Sequence, residues 1–286
     1  MNLSESKRAL ASAVKAAQAA GAVMRRNLHS KKKINETSVH DIKLELDVRC
    51  QKLIERQLHS AFPHISFLGE EGDSGDRQAE YRWVVDPIDG TVNFTYGIPH
   101  ACVSIALQKR VPSFGFHVSS SGKRAGKHSL PQPETQNPKH ETILGVVYDP
   151  FQDEFWTAIR GQPARLNGKV IRVSSRRTLA DAVVSIGFSK SRASMEHALP
   201  YFAWLTRRVR KIRMMGAAAL GLTYVATGRF DAYIERGINL WDIAAGGLIV
   251  ECAGGEFWHE PISGGKFRMI ASNGLLGRTL RTGKFK

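Results

Sequence analysis

Trp83-Val84-Val85-Asp86-Pro87-Ile88-Asp89-Gly90-Thr91-Val92-Asn93-Phe94 begins as an apolar run and ends in a turn that carries two carboxylates. The run reads as a buried strand over 82–85 that delivers Asp86 to its end. Pro87 has no N–H for a sheet ladder, so the strand is expected to stop there. Gly90 permits a tight turn and close approach of a ligand to the backbone. Thr91 opens the next segment; if that segment is a helix, its free N–H groups make a seat for phosphate. Asp86 and Asp89 repel each other when both are ionised, unless a cation stands between them. Hard oxygen ligands of this kind suit Mg²⁺, which keeps several waters and binds through a few carboxylates plus substrate phosphate. The Ile88 carbonyl can add a neutral oxygen. A lone DxxD is common in surface turns; the preceding apolar strand, the Pro and the closing Gly-Thr set this one apart.

Two further carboxylate clusters lie outward along the chain. Leu68-Gly69-Glu70-Glu71-Gly72 follows an expected strand over 65–68, with Gly69 turning the chain. Asn239-Leu240-Trp241-Asp242 precedes an expected helix over 243–252, which Gly254-Gly255 stops. Leu10, Val14, Ala17, Gly21 and Met24 recur at helical spacing, so 9–28 reads as a first helix, although its Ala-rich basic composition is shared with organellar transit peptides. Val48, Leu53, Ile54, Leu58 and Phe62 form the inner face of a second helix ended by Pro63. Strands are expected over 101–107, 143–148 and 183–186, and a helix over 218–227. Mixed strands and helices indicate a layered α/β protein. Residues 108–141 are rich in Lys, Ser, Gly and Pro and poor in apolar residues, and read as a flexible basic insertion within a single 1–286 domain.

Bulk properties narrow the classes. With 286 residues, 42% hydrophobic and 23% charged, the chain can bury a substantial core. Its apolar runs are far short of a membrane span. Cys50, Cys102 and Cys252 make an odd number with no CxxC pair, which suits a reducing, cytoplasmic setting and argues against a disulfide framework or zinc finger. The net charge of +15 permits anionic partners, from phosphate esters to nucleic acid, but no Arg-rich recognition helix accompanies it. The spacing also excludes a phosphoaspartate enzyme of the DxDGT kind: two residues before Asp89 stands Pro87. No GxxxxGK[ST] phosphate loop occurs.

Gly69-Glu70-Glu71, Asp86-Pro87-Ile88-Asp89-Gly90-Thr91-Val92-Asn93-Phe94 and Trp241-Asp242-Ile243-Ala244-Ala245-Gly246 resemble, in order, the three signatures of the inositol monophosphatase family. Gly145-Val146-Val147-Tyr148-Asp149-Pro150, Leu166-Asn167-Gly168 and Gly216-Ala217-Ala218-Ala219 extend the resemblance over nearly the whole chain outside 108–141. It implies a layered α/β/α/β/α sandwich shared with fructose-1,6-bisphosphatases, a homodimer, and Mg²⁺-dependent hydrolysis of a small phosphate ester by activated water. It implies that Glu70, Asp86, Asp89, Asp242 and the Ile88 carbonyl hold the metals, and that Glu70 and Thr91 orient and deprotonate the attacking water. Substrate would meet Asp89, the Gly90 and Thr91 amides, Gly216, Ala217, Ala218, Glu235 and Asp242, with Arg213 near that wall.

The chain departs from the family pattern before the second helix. Asp41 and Asp47 are kept, but Leu44 stands where the family has Thr, Gln51 where it often has an acid, and Glu36 where it has a lysine. These changes bear on a weaker third metal site. The resemblance implies myo-inositol-1-phosphate as substrate, with fructose-1,6-bisphosphate, histidinol phosphate or a 3′-phosphoadenosine nucleotide as alternatives. A basic nucleic-acid or ribonucleoprotein accessory role is the reading from another class, resting on the net charge of +15.

Overall fold

The structure, a computed structural model, describes residues 1–37, 42–111, 139–188 and 192–282. In chain order it forms α1 (Leu3–Asn27), β1 (Ile34–Thr37), β2 (Ile42–Leu44), α2 (Glu45–Ala61), β3 (Ser66–Gly69) and β4 (Gly72–Ser74). Then come β5 (Tyr81–Asp89), α3 (Thr91–Thr95), β6 (Cys102–Val111), β7 (Lys139–Asp149), β8 (Glu154–Ile159), β9 (Arg165–Leu166) and β10 (Lys169–Val170). The last part holds β11 (Val183–Ile186), α4 (Arg192–Thr206), β12 (Lys211–Arg213), α5 (Ala218–Ala226), β13 (Ala232–Ile238) and α6 (Leu240–Cys252). It closes with β14 (Glu256–Pro261), β15 (Phe267–Ser272) and α7 (Gly277–Thr282).

Two sheets carry the fold. The eight-stranded sheet runs β10-β9-β8-β7-β6-β5-β3-β4, and the five-stranded sheet runs β12-β11-β13-β15-β14. Residue alternation along each strand gives a sheet two apolar faces, and each face needs a helix layer to bury it. Ala9, Ala13, Met24, Ile54 and Leu58 of α1 and α2 pack on one face of the large sheet with Trp83, Val85, Ile105 and Tyr148. Its other face packs Val84, Ala106 and Trp156 against Leu222 of α5 and Ile249 of α6, which also meet Tyr233 and Met269 of the small sheet. Tyr201 and Leu205 of α4 and Leu280 of α7 cover the far face, over Val184, Ile234 and Ile270. The order of layers is therefore α/β/α/β/α, as expected.

Local chemistry sets the element ends. The helix expected over 9–28 begins six residues earlier, because Asn2 accepts from the Glu5 N–H while the Glu5 carboxylate accepts from the Asn2 N–H. The Asp47 carboxylate accepts the Leu44 N–H at 2.8 Å and starts α2. The buried face of α2 is Asp47, Cys50, Gln51, Ile54 and Leu58, a polar turn followed by an apolar one. Val48 and Leu53, expected inside, are half-buried.

Two expectations are corrected. The strand expected over 82–85 continues through Pro87 to Asp89. Asp86 pairs with Ser104 and Asp89 with Cys102, so two residues, Pro87 and Ile88, face one, Val103. That bulge absorbs the residue without an N–H. The insertion expected over 108–141 is also too wide, because β6 and β7 stay paired out to Val111 opposite Lys139. Its centre, 112–138, lies outside the described residues, as does Asp41.

Candidate metal and phosphate site

Asp86, Asp89 and Asp242 each offer a carboxylate oxygen within 4.8 Å of the others. They come from the bulge of β5, its last residue, and the first turn of α6. Each is held by backbone N–H groups. Asp86 accepts from Ile88 at 2.9 Å. Asp242 accepts from Asn239 at 2.8 Å, the other half of the capping box that starts α6. Asp89 reaches across to the start of α5, where Oδ1 accepts from Ala218 at 3.0 Å and Oδ2 from Ala219 at 2.7 Å. The Cys102 thiol also lies 3.5 Å from Asp89 Oδ2.

Asp86 and Asp89 are buried. Burial pushes the Asp86 carboxyl well up from its ordinary range, and the charges of Glu70, Asp89 and Asp242 push it further. Burial and then the Asp242 charge raise Asp89 to about 7, against the opposing pull of the Ala218 and Ala219 N–H groups. Two buried carboxylates that resist ionising, set beside a third, form an all-oxygen donor set that a positive charge would stabilise. Mg²⁺ fits that set, since a hard, small dication takes carboxylate and carbonyl oxygens. Asp86, Asp89 and Asp242 would hold it, with Glu70 beside Asp86 and the Ile88 carbonyl in the same wall.

These groups line a cavity of about 930 Å³. Gly90 stands at its edge in the left-handed region, φ 89°. An added Cβ there would meet the His100 carbonyl at 2.9 Å and the Ala217 Cβ at 3.1 Å. The Thr91 hydroxyl donates to the Ile88 carbonyl at 2.9 Å, joining the start of α3 to the bulge. Gly216, Ala217, Ala218 and Glu235 line the same cavity. The Ala218 N–H is given to the Asp89 carboxylate.

Arg213 lies elsewhere. It lines a separate depression with Gln152, Glu154, Tyr224 and Arg229 and donates to the Ile212 carbonyl at 3.1 Å. The chain joins the wall of the carboxylate cavity only at Met214, after β12 has ended. The sequence reading also passed over three supports. Asn93 donates to the carbonyls of His100 and Met215 at 2.9 and 2.8 Å and ties α3 to the chain just before Gly216. The Tyr233 hydroxyl donates to the Glu235 carboxylate, and Lys266 reaches the Asn239 side chain at the start of α6. Asn93 stood inside the quoted motif; the other two partnerships are long-range or depend on strand alternation, and no local pattern marks them.

The class that this fold and this carboxylate cage define is the phosphoric monoester hydrolases. The chain belongs to the inositol monophosphatase family, whose model matches residues 6–116 and 137–283. It is 38% identical over 247 residues to the Nus factor SuhB of Xylella fastidiosa, covering 85% of this chain and 78% of that protein. It is 37% identical over 267 residues to inositol monophosphatase 2 of Solanum lycopersicum, covering 91% and 89%. The crystal structure of extragenic suppressor protein suhB from Bartonella henselae superposes with a TM-score of 0.80 at 31% identity, over 97% of this chain and 98% of that one. Among the described residues, no helix is long and apolar enough to cross a membrane.

Proposed function

We propose that this protein is a Mg²⁺-dependent phosphatase of a small sugar or polyol phosphate, with myo-inositol-1-phosphate as its preferred substrate. One observation carries the reading: Asp86, Asp89 and Asp242 bring their oxygens within 4.8 Å of one another in the wall of a cavity that also holds Glu70, Thr91 and Glu235. When bound, Mg²⁺ supplies charge neutralisation and lowers the pKa of water. The chain does the positioning. The turn at Gly90 and Thr91 presents backbone N–H groups to the phosphate. Glu70 and Thr91 orient the attacking water and take its proton. Glu235, steadied by Tyr233, accepts from a substrate hydroxyl. Positioning and charge stabilisation are what an in-line displacement at phosphorus asks of a protein.

The test is phosphate release from a panel of myo-inositol-1-phosphate, fructose-1,6-bisphosphate, histidinol phosphate and a 3′-phosphoadenosine nucleotide, with and without Mg²⁺, on the wild type and Asp86→Asn. Turnover of the inositol ester that needs Mg²⁺ and Asp86 supports the proposal. Fast turnover of another ester with none of the inositol phosphate refutes the substrate. A homodimer in the cytoplasm is part of the proposal, and sedimentation tests the first half of it.

A second reading has its own observations: the net charge of +15 and relatives named Nus factor SuhB. It expects RNA binding whose affinity falls steeply with salt and survives Asp89→Asn. Binding of that kind without phosphatase activity in the wild type would favour it over the enzyme reading.

A further inference from the structure

We propose that Gln51 is a positioning residue for Glu70, acting through the hairpin on which Glu70 sits; the inference rests on the metal-dependent phosphatase reading above. β3 and β4 pair antiparallel with Gly69 opposite Gly72, so Glu70 and Glu71 are the two residues of the turn between them. One side of this turn is fixed by the large sheet, because the Glu70 N–H donates to the Val85 carbonyl at 3.2 Å. The other side is held by the Gln51 side chain of α2. The Gln51 Oε1 accepts the Glu71 N–H at 2.9 Å, and the Gln51 Nε2 donates to the Gly72 carbonyl at 3.0 Å.

Three features make this a specific clamp. Gln51 is 6% exposed, so water does not compete for its two bonds. The backbone groups it meets are one donor and one acceptor on consecutive residues, which a primary amide satisfies at once. A carboxylate could accept from Glu71 but would set a lone pair against the Gly72 carbonyl. Gly69 is shaped to the clamp as well, since a Cβ added there would come within 2.3 Å of Gln51 Oε1 and 2.5 Å of Cδ. Opposite the clamp, β4 is three exposed residues that bury little. The Ser74 hydroxyl adds a second tie to the same helix, at Glu55, and the start of α2 is itself locked by Asp47. Removing groups that orient a metal ligand typically costs about 10–100-fold in metal affinity or activity.

The experiment measures Mn²⁺ binding by electron paramagnetic resonance, without substrate, and hydrogen exchange of the Glu71 amide. It compares wild type, Gln51→Leu, Gln51→Glu and Leu58→Ala, the last removing apolar packing from the same buried face of α2. The expected result is that Gln51→Leu weakens Mn²⁺ binding by about tenfold or more and speeds Glu71 exchange by a similar factor. Gln51→Glu keeps Glu71 protected, loses the Gly72 contact and falls between. Leu58→Ala lowers Tm while leaving both readouts near wild type. Mn²⁺ affinity in Gln51→Leu within twofold of wild type, or an equal loss in Leu58→Ala, overturns the inference. A wild type that binds no Mn²⁺ overturns the metal reading instead, and is told apart by Glu71 exchange, which the clamp governs with no metal present.

Discussion

Stripping divalent cation from this protein is expected to make its stability fall as pH rises from 5 to 8. Asp89 is buried among carboxylates and its folded-state value is about 7, against 3.8 ordinarily. Between those values the folded chain binds a proton that the unfolded chain has lost, so stability decreases with rising pH. The difference amounts to about 4 kcal/mol at about 1.4 kcal/mol per pH unit, of which about 2.5 kcal/mol falls between pH 5 and 8. For a chain of 286 residues that is about 4 °C in Tm. Asp86 is raised in the same direction and adds to it. Loading with Mg²⁺ compensates the ionised carboxylates, so the gap in Tm between loaded and metal-free protein should be small at pH 5 and widest at pH 8. Scanning calorimetry across this range, with EDTA or with saturating Mg²⁺, reads it directly. In Asp89→Asn the Asp89 share of the gap should vanish. A gap independent of pH, or a wild-type slope retained in full by Asp89→Asn, would refute a cation offsetting the buried Asp86 and Asp89 charges.

Three further outcomes are expected. Gly90→Ala forces a Cβ into the left-handed region and against the His100 carbonyl at 2.9 Å; about 2–3 kcal/mol of stability should go, and a displaced turn should cut kcat/KM about 100-fold, measured by melting and by phosphate release. Glu235→Gln should raise KM by about tenfold with a smaller change in kcat, as loss of a charge-assisted hydrogen bond to a substrate hydroxyl would. Asp231→Ala removes a fully buried carboxylate that accepts from the Val183 N–H at 2.7 Å and from Arg176 at 2.9 Å, beside Ser174. It should cost about 3 kcal/mol, or about 5 °C in Tm, and leave Mg²⁺ affinity within twofold, because these contacts sit just before β13 and outside the lining of the carboxylate cavity.

The parts of the fold that local sequence encodes were legible. An apolar run, a glycine and a carboxylate pair sufficed to find β5 and the turn after it, though not where the strand ends. The apolar helices α5 and α6 were found nearly to the residue, α6 opening three residues early because Asn239 and Asp242 cap it together. The same rule misled at Pro87: proline does end ladders, but here a bulge carries it, and the bulge is held by Asp86 accepting from Ile88 and by Asp89 reaching α5. No neighbour in sequence announces that second contact, since Asp89 and Ala218 are brought together only by the layering of the fold. β13 escaped notice because Glu235 and Arg236 interrupt its apolar pattern, and Glu235 is there for the cavity rather than the core. Gln51 looked like the loss of an acid; its use appears only when the hairpin at Gly69–Gly72 is laid against α2.

The rungs that join β6 to β7 reach Val111 opposite Lys139, and residues 117–136 fall between the two stretches that match the family. Two strands that end on facing rungs can be joined by connections of different length without altering the pairing beneath, and each doubling of a flexible connection adds only about 0.6 kcal/mol of closure entropy. The tip of this ladder is thus a natural grafting point. A short turn, a peptide tag or a whole binding module could be spliced there while Asp86 and Asp89, paired with Ser104 and Cys102 at the far end of β6, keep their places.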